Sequence, residues 1–187
     1  MHSLDLTEAP SVRCGDGIVA LDFATDRYSC RYDPIEHEML AEAEPLAPAW
    51  RDATGASDRL EHGDAWLFVR AWCAALVSFS GKPVRDLMTA ALRLERAEPC
   101  RDGRSTQELA ACFERMSLYL PYRAPCLLRA YALLHFLAFY GRTADWVIGV
   151  QLFPFRAHCW LANDDLLVGE RVHLIEDYVP LFRLRTH

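Results

Sequence analysis

A thiol, an imidazole and a carboxylate stand in the order Cys126, His158, Glu170 along the C-terminal part of the chain. Brought together, they supply what acyl transfer through a thioester needs: a nucleophile, a proton carrier and an acid to orient it. Cys126 opens a run to Tyr140 with no Gly or Pro, preceded by Pro121 and Pro125 and followed by Gly141. Proline at a start and glycine past an end mark a helix. In the first turn, unpaired backbone N–H groups and the helix dipole stabilise a thiolate, the nucleophilic form. A free cysteine is as often a small buried hydrophobe, so position alone leaves both readings open.

The imidazole and the acid fall on a hairpin. Residues 157–162 and 166–170 are apolar and strand-like, and Asn163, Asp164 and Asp165 between them carry a turn signal. A three-residue loop there sets Ala162 opposite Leu166, Trp160 opposite Val168 and His158 opposite Glu170. Opposed side chains lie about 5 Å apart at Cβ on one face, which places the carboxylate beside the ring. It would fix the tautomer and stabilise the imidazolium. Alone, His158 would read equally as a satisfied core histidine. Asp164 and Asp165 read as solvated turn residues. Cys159 alternates to the face opposite His158, which argues against it as the nucleophile.

Other elements must hold these groups. Val12–Cys14 reads as a short strand broken at Gly15 and Gly17, and Ile18–Phe23 and Arg27–Tyr32 as a hairpin turning at Ala24–Asp26. Asp33 as N-cap, Pro34 at N1 and Glu36 at N3 open a helix to about Glu44, stopped by Pro45. Residues 45–63 are rich in Pro, Ala, Gly and Asp and read as a linker, with at most a helical turn near Trp50. Asp64 N-caps an amphipathic helix to Phe79. Pro83–Ala97 is a second helix, with Val84, Leu87, Met88, Ala91 and Leu92 on one face. Ser105 and Glu108 form a capping box for a third, Thr106–Leu118, whose Leu109, Cys112, Phe113 and Met116 should pack on the Cys126 helix. Val147–Val150 and Tyr178–Phe182 supply further strands. The predicted class is α+β: an N-terminal hairpin-and-helix unit over residues 1–44, a linker over 45–63, and helices packed on a small antiparallel sheet over 64–187.

At 187 residues and 52% hydrophobic, the chain can bury a core of its own. Residues 1–100 hold 17 acids against 10 bases, and residues 101–187 hold 9 against 10, so no basic patch points to nucleic acid. The acidic half could favour a basic peptide, though such a bias is usually a solvated face. Met1–Pro10 lacks the basic-then-apolar order of a signal peptide. Arg129 and His135 interrupt the best apolar stretch, so no membrane insertion is expected. Seven scattered cysteines with no C-x-x-C pair fit a reducing, cytoplasmic setting. Cys14, Cys30 and His37 have no spacing of a metal-ligand pattern.

The blocks Cys126–Arg129, Val147–Val150 and Phe155–Trp160 resemble the B protein of lasso-peptide biosynthesis, over roughly Leu118 to Leu181. The interval of 32 residues from Cys126 to His158 suits that family. The resemblance implies a transglutaminase-like, papain-related cysteine protease fold, with Cys126 as nucleophile, His158 as base and Glu170 as acid, and no cofactor or metal. It implies a ribosomally made precursor cut between leader and core, then passed to an asparagine-synthetase-like lasso cyclase. The chain departs from the family in two places: Glu170 stands where Asp is usual, and Cys159 where Ala is common. Papain-like enzymes often place a Gln before the cysteine as oxyanion donor, but residues 118–125 contain none, and Tyr122 is the candidate instead.

The N-terminal unit resembles the start of a RiPP recognition element, a winged-helix module that takes a leader peptide as an added strand. If it is only a structural cap, a separate leader-recognition protein is expected. Two other functions use the same residues: a transglutaminase-like amidase or acyltransferase on another substrate, and a non-catalytic peptide-binding subunit.

Overall fold

Helices stand against two antiparallel sheets in the computed structural model, which describes residues 9–32, 49–94, 103–121 and 123–186. Strands β1 (Ser11–Cys14), β2 (Gly17–Asp22) and β3 (Arg27–Tyr32) form the first sheet in that order. Helices α1 (Asp64–Phe79), α2 (Val84–Leu94), α3 (Thr106–Ser117) and α4 (Cys126–Phe139) follow. Then come β4 (Asp145–Gln151), β5 (Arg156–Asn163), β6 (Leu166–Val168), the short helix α5 (Val172–Ile175) and β7 (Val179–Leu184). The second sheet runs β6-β5-β4-β7, antiparallel throughout. Among the described residues no helix is long and apolar enough to cross a membrane.

Helix α4 is central because its sequence gives it almost no polar face. Leu128 and every residue from Ala130 to Ala138 are buried, and the helix packs on α1, α2, α3 and β5. Phe136 meets Phe113 of α3 at 5.6 Å between ring centroids, and Tyr131 stacks on Trp146 of β4 at 5.6 Å. Each such side chain contributes about 1.5–3 kcal/mol on burial. His135 is buried among them, and burial pushes its pKa down to about 4, so it stays neutral.

The capping box of α3 forms as its sequence predicts: Glu108 N donates to Ser105 Oγ at 3.2 Å, and Ser105 N donates to Glu108 Oε2 at 2.8 Å. The expected role of Asp64 changes. The N-cap of α1 is Gly63 in a left-handed conformation, φ 99°, with no side-chain cap. Asp64 turns inward instead, its side chain 2% exposed, and takes both 2.9 Å bonds of the Arg104 guanidinium. Tyr140 and the backbone N–H of Glu61 also donate to it. Burial favours its neutral form, but these donors outweigh it and hold the carboxyl below its ordinary range. Asp64 thus ties the start of α1 to the approach to α3 through Arg104 and to the end of α4 through Tyr140.

The first sheet joins the same core. Val12, Cys14, Val19, Leu21 and Phe23 are buried with the helices, and Phe23 meets Phe182 of β7 edge-on at 5.0 Å. β3 is exposed along its whole length. The helix expected over 34–44, the end of the second helix beyond Leu94, His37 and Cys100 lie outside the described residues.

The described part of the stretch read as a linker, 49–63, is irregular chain tied to the hairpin near its start. At Arg51 the chain forms a single bridge to Leu166 of the hairpin. Arg51 N donates to Asp165 O at 2.8 Å, and Leu167 N donates to Arg51 O at 2.9 Å. The Arg51 guanidinium also forks onto the Asp165 carboxylate, which is therefore paired rather than simply solvated. Trp50 packs edge-on against Trp160 at 5.6 Å.

Gly149 sits at the centre of the second sheet, opposite His158, where the register of β4 against β7 shifts. A Cβ there would lie 2.5 Å from the Trp160 ring and 3.2 Å from Cβ of Tyr178. Both rings flank His158, so the absent side chain makes room for its surroundings. Gly149→Ala is expected to cost about 1–3 kcal/mol by overpacking. A lowered urea midpoint with unchanged slope would show it. A midpoint equal to wild type would mean that the rings yield freely.

Candidate active site

The hairpin closes with a shorter turn than the sequence suggests. Asn163 pairs with Leu166, Ala162 with Leu167 and Leu161 with Val168, leaving the two-residue turn Asp164–Asp165. Asp164 takes the left-handed conformation, φ 52°, and a two-residue loop matches the strand twist better than a three-residue one. The expected pairing of His158 with Glu170 is therefore absent from the ladder. Continued, the observed register would set Glu170 opposite Cys159, on the wrong face.

It does not continue. β6 ends at Val168, and Gly169 turns the chain with φ 67°. A Cβ at Gly169 would lie 2.8 Å from Leu133, so packing against α4 as well as the backbone angle favours glycine. The turn returns Glu170 to His158: Nε2 of the ring lies 3.1 Å from Oε2 of the carboxylate. Glu170 is 7% exposed at its side chain, with the Arg171 backbone N–H donating to Oε1 at 3.3 Å and Arg129 Nη1 at 3.5 Å from Oε2.

Because β6 covers β5 only from Leu161 to Asn163, the edge of β5 near His158 is unpaired on that side. Here the first turn of α4 arrives. Pro125 is its N-cap, in an extended conformation, and Cys126 is its first residue. The Cys126 thiol lies beside Cys159 and His158, close enough for both to act on its charge. With Nε2 on Glu170, Nδ1 is the ring nitrogen left for the thiol. His158 lies 6.1 Å from Trp160 and 5.6 Å from Tyr178, centroid to centroid.

These contacts set the charges. Hydrogen bonds from Cys159, then His158, overcome burial and bring the Cys126 pKa down to about 4. Burial disfavours the imidazolium, but Cys126 and Glu170 outweigh it and lift His158 to about 9. Burial also works against ionised Glu170, yet His158 and Arg129 hold its pKa below the ordinary value. Both shifts run in the direction that favours a thiolate–imidazolium pair beside a carboxylate near neutral pH. Cys159 is fully buried and its thiol is raised well above the usual range, so it serves as a donor to its neighbour.

The three groups line a groove of about 1430 Å³ walled by α3, α5 and the segment 52–58. Tyr122 lies outside the described residues. Two residues that touch the site were missed by the sequence reading. Cys159, set aside as the nucleophile by strand alternation, is buried beside Cys126 and helps to lower its pKa. Arg129 was visible in principle: three residues after Cys126, it shares a helix face with it.

A family model described as the transglutaminase-like superfamily matches residues 68–183. No curated protein and no solved structure matches the chain.

An ordinary thiol loses about tenfold in alkylation rate per pH unit below roughly pH 8.5. Cys126 should instead alkylate with iodoacetamide at a nearly constant rate from about pH 8 down to about 5, because its thiolate persists to about pH 4. Cys159→Ala removes a donor and should move the loss of reactivity to higher pH. Peptide mapping after brief labelling measures both. A tenfold fall per unit at Cys126 would remove the ion pair.

Proposed function

The chain belongs to the transglutaminase-like superfamily, and within it we propose that this protein is a cysteine peptidase that cuts the leader from a ribosomally made lasso-peptide precursor. The observation that carries the reading is the placement of Cys126, at the start of α4, beside His158, which in turn bonds Glu170, on the wall of one open groove. The superfamily supports the acyl chemistry. The blocks around Cys126, Val147 and His158 support the lasso-peptide substrate.

In this reading the Cys126 thiolate attacks the scissile carbonyl carbon, and the carbonyl electron pair moves onto oxygen. The Cys126 backbone N–H, at the start of the helix, donates to that oxyanion, with Tyr122 the proposed second donor. Collapse breaks the C–N bond. The leaving amine takes its proton from the His158 imidazolium, and a thioester remains. Neutral His158 then takes a proton from water as the water oxygen attacks the thioester, and the thiolate leaves. Glu170 orients the ring throughout. The groove exceeds the roughly 300–1000 Å³ of small-molecule pockets, which suits an extended peptide.

The leader would add to the first sheet. β3 is the edge of that sheet, with Tyr32 71% exposed. The freed core would pass to an asparagine-synthetase-like cyclase, both acting in the cytoplasm.

Purified protein should cut a precursor into leader and core, and Cys126→Ala should abolish this. Glu170→Gln should lose roughly 10- to 1000-fold in turnover through the misoriented ring, while Asp164→Asn stays near wild type. An uncut precursor alongside Cys126-dependent turnover of simple amides or esters would favour the amidase or acyltransferase instead. Binding without any turnover would leave a peptide-binding subunit.

For the leader, Arg31→Glu with Tyr32→Ala should weaken precursor binding about tenfold or more and leave Cys126 alkylation unchanged. Unchanged binding would pass leader recognition to a separate protein.

A further inference from the structure

The acid reaches His158 by a turn, not by strand pairing, so something must hold that turn. The ladder ends at Val168, and the Gly169 carbonyl takes its hydrogen bond from a side chain: Arg129 Nη2 donates to it at 2.9 Å. The same nitrogen donates to Glu114 of α3, and Nη1 stands 3.5 Å from Oε2 of Glu170, the oxygen that His158 also uses. One planar guanidinium thus joins α3, α4 and the end of β6. We infer that Arg129 is the positioning residue for the acid of this site, fixing Gly169 in the turn that presents Glu170 to His158. The inference rests on the Cys126–His158–Glu170 reading of the groove.

The helical period makes the arrangement economical. Arg129 lies three residues after Cys126, so a single turn of α4 carries the thiol and the grip on the acid. The planar fork can donate to a carbonyl and two carboxylates at once. A lysine ammonium at that distance could serve as a point charge but could not match the fork. Glu114 offsets the cation and anchors it from the α3 side; burial raises its pKa against the pull of Arg129.

A positioning role and a merely electrostatic one differ in sign at His158. The ring faces Cys126 and Glu170, with Arg129, Glu114 and Arg171 behind them. Removing a nearby cation by charge alone makes the imidazolium easier to form and raises its midpoint. Losing the aim of Glu170 removes a partner of the imidazolium and lowers it.

The test is the titration of the His158 Cε1–H resonance by NMR, assigned with His158→Asn, together with steady-state cleavage of a precursor. Variants are Arg129→Gln, Arg129→Lys, Glu170→Gln and the Arg129→Gln/Glu170→Gln pair. Arg129→Gln should lower the midpoint from about 9, as Glu170→Gln does. It should lose roughly 10- to 1000-fold in kcat with little change in KM. The double variant should lose no more than Glu170→Gln alone, since both changes break one path. Arg129→Lys should fall between wild type and Arg129→Gln. An unchanged or raised midpoint in Arg129→Gln, or losses that multiply in the double variant, would overturn the inference. If Arg129→Gln does not fold, Arg129→Lys and its Glu170→Gln double carry the same comparison. A lowered midpoint in a protein that cuts no precursor keeps the positioning role and sinks the leader-peptidase reading. Normal kcat and midpoint in a cleaving Arg129→Gln variant sink the positioning role alone.

Discussion

The first turn of α4 against the uncovered end of β5 is the contact on which the rest of the site depends. It is fixed from behind by burial: α4 has helices and sheet around it and no polar face along which it could slide. The shortness of β6 is the other half of the constraint. Were the ladder two residues longer, Glu170 would stand opposite Cys159 on the core face. A carboxylate there would be buried without the imidazole, at a cost of several kcal/mol on the order of any unpaired buried charge. Stopping at Val168 leaves an open edge, and the thiol, ring and acid meet across it.

Much of this was legible in the sequence because it depends on local rules. The Cys126 helix, the strands around Val147 and His158 and the capping box at Ser105 each follow from spacing, Pro–Gly punctuation or capping chemistry. The hairpin register did not. A residue of turn length decides which face a side chain takes, and Asn-Asp-Asp fits either a two- or a three-residue loop. The carboxylate was placed beside the right ring for the wrong reason: one displacement, in the register, was undone by another, at Gly169. Nothing local in Leu166–Glu170 shows that a side chain at Gly169 would meet Leu133, far away in sequence. The cap expected at Asp64 failed for a similar reason. Asp before an apolar run reads as a cap until a distant Arg104 draws it inward. Trp50 and Arg51, in the stretch read as a linker, likewise find partners far away in sequence, Trp160 and Asp165.

The arginine bias of the chain has a structural use. All but one of its 20 basic residues are Arg. Arg51 forks onto Asp165, Arg104 onto Asp64, Arg129 spans Glu114 and the Gly169–Glu170 segment, and Arg183 bonds Asp145. Each joins elements distant in sequence, and each uses planar donors that a lysine lacks. Such pairs add little net stability when exposed. Buried ones, such as Asp64–Arg104 and Asp145–Arg183, specify arrangement, since either charge left alone would be costly.

The same geometry favours a glutamate over the shorter aspartate at position 170. Gly169 is drawn toward the helices: its carbonyl is held by Arg129, and the place a Cβ would take is bounded by Leu133, Glu114 and Ala110. The backbone therefore leaves the sheet before it reaches the acid. From there the carboxylate must come back to His158, and the added methylene of glutamate extends its reach by about one bond length, ~1.5 Å. At 3.1 Å the bond to Nε2 has little slack, so an acid shorter by that amount would lie beyond hydrogen-bonding distance unless the turn relaxed toward β5. Relaxation would pull the Gly169 carbonyl off Arg129. The long acid, the left-handed glycine and the arginine one turn past the cysteine are thus one solution to a single problem: bringing a carboxylate to a ring that the strand register has passed by.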